Sequence, residues 1–106
     1  TRLIAKELGL TEKDYTVCFQ SRLDKKWLTP FSDKVVEEWA EKGAKKLLVF
    51  SPAFVADCLE TVYEVSVEYG DEFKEMGGEH VQLVESLNDH PLWIDSLEAM
   101  VKGQIN

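Results

Sequence analysis

The second half of this chain has almost no positive charge. From Ser51 to Asn106 only Lys74 and Lys102 stand against twelve acids, whereas the first fifty residues hold ten bases and eight acids. A surface so poor in cations repels nucleic acid and anionic lipid, and its natural guests are cations. Cysteine is scarce too. Cys18 and Cys58 form neither a CxxC pair nor a zinc spacing, which points to reduced thiols in a cytosolic protein rather than a disulfide framework. Long apolar runs are missing: no stretch approaches the roughly 18 residues of a spanning helix, and no signal-peptide pattern opens the chain. There is no internal repeat, linker or low-complexity tract. What remains is 106 residues, 44% hydrophobic and 30% charged, the composition of one soluble globular domain. It opens on TRLIAKELGL, with Leu3, Ile4 and Leu8 at helical spacing, and so reads as a piece cut from something longer.

Short apolar runs alternate with helical patterns. YTVCFQ (15–20) is β-branched and aromatic, which predicts a buried strand. SRLDKKWLTPF (21–31) is a loop. Ser32 or Asp33 is placed to cap a helix over DKVVEEWAEK that Gly43 stops. KKLLVF (45–50) predicts a second strand, broken at Pro52. A long helix is expected from about 54 to 76, closed by Gly77-Gly78. HVQLV (80–84) predicts a third strand. Asn88 and Asp89 are candidate caps for a last helix in which Pro91 suits the first turn and Leu92, Trp93, Leu97, Met100, Val101 and Ile105 form a stripe. The order α-β-α-β-α-β-α predicts an α/β fold: a three-layer α/β/α arrangement on a parallel sheet. Three strands are few for such a sheet, so an incomplete one is expected. Ligands of parallel sheets bind beyond the carboxyl ends of the strands, where 20–22, 51–54 and 86–88 fall.

The acidic helix begins at that edge. Phe54 to Phe73 contains six carboxylates and no base. At about 100° per residue, Asp57, Glu60, Glu64, Glu68, Asp71 and Glu75 share one face, and Cys58, Val62, Val65, Tyr69, Phe73 and Met76 share another. An acidic face is usually just solvated. Ordinary solvated faces mix signs, however, because like charges at i,i+4 cost a few tenths of a kcal/mol each. The helix dipole favours acids only in the first turn, which excuses Asp57 but not Glu68. A metal ion, a proton or a basic partner could compensate. Crowded carboxylates hold protons more readily, which suits general-base work or proton relay, and they are weak ligands for divalent metals.

FVADCLETVYEVSVEY, with the upstream FQSRL and WLTP and the downstream ESLND-P, closely resembles the C-terminal half of ferrochelatase, which inserts ferrous iron into a porphyrin in the last step of haem synthesis. The resemblance runs from about Tyr15 to the end. It implies that residues 1–106 form much of the second of two similar Rossmann-like lobes around a porphyrin cleft. It places Glu60 on the family's active-site glutamate, a proton acceptor and metal contact. Glu64, Asp57 and Glu68 fall on a line of acids serving as metal ligands or as a proton or metal route. Trp27, Gln20 and Ser21 fall near the substrate. It also implies a local π-type widening of the acidic helix, which would shift the phasing above.

The family's catalytic histidine sits in an S-x-H-S-L-P-like motif that is absent here, and is expected upstream of Thr1. His80 and His90 match nothing catalytic. Cys58 stands where many members have His and is not taken as a ligand. No cysteine-rich segment supports the iron–sulfur cluster that some members carry. The resemblance implies Fe2+ and porphyrin as substrates and the N-terminal lobe of the same enzyme as partner, while the missing signal pattern and sparse cysteines predict a bacterial cytoplasmic setting. That setting is compatible with a peripheral membrane contact through the other lobe. In that chemistry a glutamate of raised pKa takes protons from the pyrrole nitrogens, and oxygen ligands replace the metal's waters. Cobalt or nickel insertion is a near variant. On the residues alone, Trp27 reads more readily as a loop residue packed on the helix that carries Trp39 than as a substrate contact. A non-catalytic α/β module whose acidic face docks a basic protein remains the alternative. On that alternative, charge reversal at Glu64 and Glu68 abolishes a protein complex.

Overall fold

A computed structural model describes residues 1–21, 23–24 and 26–105. The expected loop at 21–31 includes Arg22 and Lys25, which lie outside the described residues.

A parallel strand pair organises the chain. β1 (Lys46–Val49) and β2 (His80–Leu83) pair in register from Lys46 with His80 to Val49 with Leu83. Both runs lie inside the apolar segments predicted as strands. The crossover between them is helical, as a parallel connection requires. It is not one α-helix over 54–76. It is a π-helix (Glu60–Glu68) running directly into α3 (Tyr69–Glu75). Residues 51–58 stay irregular because side chains already occupy two of their amides. Asp57 N–H donates to Asn88 Oδ1 (2.9 Å) and Cys58 N–H to Thr61 Oγ1 (3.0 Å), so the helix starts only after them. Gly77, at φ +93°, turns the chain out of α3 in the left-handed region that glycine tolerates.

The core lies between this crossover, the strand pair and α2 (Ser32–Glu41). Val36, Ala40, Val65, Tyr69, Phe73 and Val81 are buried together, with Ala44, Leu47, Val49 and Leu83 packed on them. Phe73 is wholly enclosed. At α2 the expected stop holds: Gly43 has φ +85° and its N–H donates to the Ala40 carbonyl. The expected cap does not. Phe31, extended at φ −77° and ψ 145°, stands at the N-cap position, and Ser32 is already helical.

YTVCFQ does not form a strand in the sheet. Only Phe19 pairs, in an isolated parallel bridge with Phe31: Phe19 N–H donates to the Pro30 carbonyl and Ser32 N–H to the Phe19 carbonyl. The segment closes the 21–31 loop on itself instead of extending the ladder. The described sheet therefore has two strands, β1 and β2, where three were expected. Leu48, on β1, is left 71% exposed.

Two terminal helices complete the chain. In α1 (Arg2–Glu7) Ala5 is buried, while Leu3 and Leu8 face outward. α4 (Pro91–Ile105) starts at Pro91 as expected. Its first turn is capped by His90, whose Nδ1 accepts the Leu92 N–H at 3.3 Å, not by Asn88 or Asp89. Of the stripe of α4, Leu92, Leu97, Met100, Val101 and Ile105 are exposed and Trp93 is half-buried, and none of its described residues is buried. No helix among the described residues is long and apolar enough to cross a membrane.

Candidate active site

A cavity of about 860 Å3 opens between the 15–21 segment, α2, β1 with the 50–54 loop, and the start of the π-helix. Pockets of a few hundred to 1,000 Å3 hold organic ligands of drug or cofactor size. Its walls are largely aromatic and aliphatic: Tyr15, Phe19, Trp27, Trp39, Phe50 and Phe54 contribute. It runs along the whole of β1 and past its carboxyl end to Phe54; that end is the edge at which parallel sheets present their ligands.

Of the residues singled out from sequence, Glu60, Glu64, Gln20, Ser21 and Trp27 all line this cavity. Trp27 is 38% exposed, so its ring has a free face. Gln20 is tied down: its Nε2 donates to the Glu60 carbonyl at 2.7 Å. That bond joins the 15–21 segment to the first turn of the π-helix. Asp57 and Glu68 are not among the lining residues. Glu68 is exposed.

The π geometry explains what the 100° phasing missed. A π-helix bonds i to i+5, and the Tyr69 N–H accordingly reaches the Glu64 carbonyl. The same offset brings the Tyr69 hydroxyl to Glu64 Oε1, to which it donates at 3.1 Å. Val62, expected on the apolar face, is 52% exposed, and Met76 is 40% exposed. Thr61, which no apolar pattern singles out, is wholly buried. Its hydroxyl accepts the Cys58 N–H and lies within hydrogen-bonding distance of Asp57 Oδ1 (3.2 Å) and the Cys58 carbonyl (3.1 Å), either of which it can donate to. Widening the helix moves the buried side onto Thr61, Val65 and Tyr69 and turns Glu60 and Glu64 toward the cavity.

The expectation of a raised carboxyl pKa is not met at Glu60. The Cys58 thiol donates to the Glu60 carboxylate, as does Glu60's own N–H, and together they hold it below its ordinary value. The side chain is exposed, so desolvation is too weak to reverse the effect. Asp57 is lowered for a similar reason: Asn88 and then Ser86 donate to it. Tyr69 is pushed up, first by burial and then by the Glu64 charge beside it. Among the described residues no three His, Cys, Asp or Glu side chains converge as a ready-made metal site.

Together these features define an α/β unit with a large, mostly apolar cavity beside and beyond β1 and two glutamates, Glu60 and Glu64, on its wall. The family model for ferrochelatase matches residues 1–105. The ferrochelatase of Coxiella burnetii (strain Dugway 5J108-111) is 46% identical over 106 residues, covering 99% of this chain and 30% of its own length. That of Ectopseudomonas mendocina is 46% identical over 99 residues (92% and 29%), and that of Legionella pneumophila (strain Corby) is 43% identical over 104 (97% and 31%). The chain belongs to the ferrochelatase family. It spans about 30% of the length of the curated relatives it matches. A self-standing module that docks a basic protein is not favoured by a match of this extent.

Proposed function

We propose that these residues form the C-terminal lobe of a ferrochelatase, and that the cavity is this lobe's share of a cleft in which ferrous iron enters protoporphyrin to form haem. One observation carries the reading: Glu60 and Glu64 share one apolar cavity with Trp27, Gln20 and Ser21, and the family model covers the whole site. The histidine and the opposite wall come from the N-terminal lobe of the same enzyme. In that complete protein YTVCFQ closes on the open edge of β1 to give the three-layer Rossmann-like arrangement, which narrows the cavity along that strand and leaves the part beyond its carboxyl end, between Ser51, Phe54 and Glu60, for the substrate. Any contact with a membrane surface is made through the other lobe.

The chemistry follows from the residues. The porphyrin's flat apolar face is covered by Trp27 and the cavity's other rings. Each metal ion that enters displaces two pyrrole protons. Glu60, ionised at neutral pH, accepts them one after the other, passing the first on before it takes the second, and meets the ion. Glu64 lies next along the helix and carries protons out or the ion in, with Glu68 continuing toward solvent. Iron is a substrate in this scheme, and two carboxylate oxygens that do not enclose it allow it to pass on to the porphyrin nitrogens. Asp57, also expected to bind metal, has both oxygens engaged by its own chain and is given a different part below.

The test is Glu60→Gln in the full-length enzyme. Replacing a general base costs roughly a hundredfold or more in kcat, read by the visible absorption of the metalloporphyrin. Unimpaired iron insertion by Glu60→Gln would remove Glu60 from the mechanism.

A further inference from the structure

We propose that Asp57 and Asn88 form a reciprocal clasp that positions Glu60, so that Asp57 serves as a positioning residue rather than as a metal ligand. The bonds run both ways across thirty-one residues of sequence. Asp57 N–H donates to Asn88 Oδ1 (2.9 Å), and Asn88 Nδ2 donates to Asp57 Oδ2 (3.0 Å). The other carboxylate oxygen, Oδ1, accepts the Ser86 N–H at 3.3 Å and has the Thr61 hydroxyl at 3.2 Å. Asn88 is itself held in place: it adopts φ +47°, which asparagine tolerates better than most residues, and its N–H donates to the Val55 carbonyl at 2.8 Å. The loop between β2 and α4 is thereby fastened to the chain just before the π-helix at Val55 and again at Asp57.

Two arguments follow. A divalent ion placed on Asp57 would have to take an oxygen from Asn88 or from the Ser86 N–H, leaving a half-buried donor without a partner, which is costly. Asp57 is also absent from the cavity wall that Glu60 and Glu64 share. What Asp57 does control is direction. Glu60 follows it by three residues, and Thr61, wholly buried, meets Asp57 and Cys58 together. The clasp thus sets where the first turn of the π-helix points, and with it the Glu60 carboxylate.

The role of Glu60 in this inference rests on the proposed iron insertion, so the experiment has two readouts. In the full-length enzyme, Asn88→Asp, Asp57→Asn and the exchanged pair carrying both changes are compared. Asn88→Asp sets two carboxylates against each other. The exchanged pair restores an amide facing a carboxylate, with every backbone donor still served. Expected are a loss of about tenfold or more in kcat for Asn88→Asp with little change in KM for iron, and recovery of most of that loss in the exchanged pair. Amide hydrogen exchange at Asp57 and Ser86 should quicken about tenfold in Asn88→Asp and slow again in the pair. A metal-ligand role predicts the opposite: Asp57→Asn raises KM for iron while Asn88→Asp does not, and the pair recovers nothing. That result, or unchanged exchange at both amides, overturns the clasp. Should the unaltered full-length protein insert no iron, the proposed function fails, and the exchange data still decide the clasp.

Discussion

The contact between Tyr69 and Glu64 tests the π-helix directly, because an α-helix would not make it. Residues five apart on an α-helix lie about 140° apart around the axis, and the side chains that meet are three or four apart. The phenol nonetheless reaches Glu64 Oε1 at 3.1 Å. Tyr69→Phe deletes that one hydroxyl and leaves the buried ring. A bond to a charged acceptor contributes about 1.5–3 kcal/mol when well shielded. Glu64 is half-exposed, and water can replace the phenol there, so a cost of about 1 kcal/mol is expected. For a chain of this size that lowers Tm by roughly 4–8 °C. Glu64→Ala and the double variant complete a cycle, measured by urea unfolding, with an expected coupling of about 1 kcal/mol. The pH dependence has a definite sign. The folded phenol titrates above its ordinary value because of burial and the Glu64 charge. Its stabilisation is therefore complete below the unfolded tyrosine pKa of about 10 and is lost as pH rises beyond it. Tyr69→Phe should lack that alkaline loss. Coupling below about 0.3 kcal/mol, with the alkaline loss unchanged, would refute both the contact and the π phasing that makes it.

Three further outcomes are expected. Gly78→Ala should cost about 1–3 kcal/mol in chemical denaturation, because a Cβ there runs into the ring of Phe73, the bulkiest of the fully buried side chains among the described residues; an unchanged midpoint would show that the ring can yield. Gln20→Ala in the full-length enzyme removes the donor that holds the Glu60 carbonyl and should lower kcat for iron insertion about tenfold, while Gln20→Glu, which cannot donate when ionised, should behave similarly. Asp57 is held below its ordinary pKa by Asn88 and Ser86, so its stabilisation is present above the unfolded value of about 3.9 and is lost as pH falls through the lower folded value. Asn88→Ala should flatten that acid limb in pH-dependent unfolding, and an acid limb as steep as before would mean that Asp57 does not depend on Asn88.

Much of this was readable beforehand, and the parts that were not share a cause. KKLLVF and HVQLV became a parallel pair because continuous apolar runs flanking a helical stretch have few other uses. Gly43 and Pro91 marked boundaries because their backbone preferences are local. YTVCFQ carried the same signal as the other two runs, yet a strand needs a neighbour as well as a composition, and its one bridge goes to Phe31. Thr61, Asn88 and His90 were missed because their roles depend on partners brought close by the fold. A bond between Asp57 and Asn88 leaves no spacing in the sequence to detect. The helix phase failed for a different reason: a 100° wheel assumes i,i+4 bonding, and only the resemblance to ferrochelatases gave notice of the widening.

The widened helix also answers why so many like charges sit on one element. Among the described residues, the ion pairs are Lys34 with Glu37 and Lys102 with Glu98, and none involves the acids from Asp57 to Glu68. What these acids have instead is neutral donors: the Asn88 amide and Ser86 N–H at Asp57, the Cys58 thiol at Glu60 and the Tyr69 phenol at Glu64. A cation would cancel a carboxylate's field, whereas a neutral hydrogen-bond donor stabilises the anion and leaves its net charge in place. On the proposed function, the negative potential at the cavity wall is thereby kept for an arriving ion. On this account, giving Glu64 a fixed positive neighbour would make the helix more stable and the full-length enzyme slower. Glu68→Lys, at an exposed position four residues from Glu64, is such a change, and a rise in both stability and iron insertion would contradict the account.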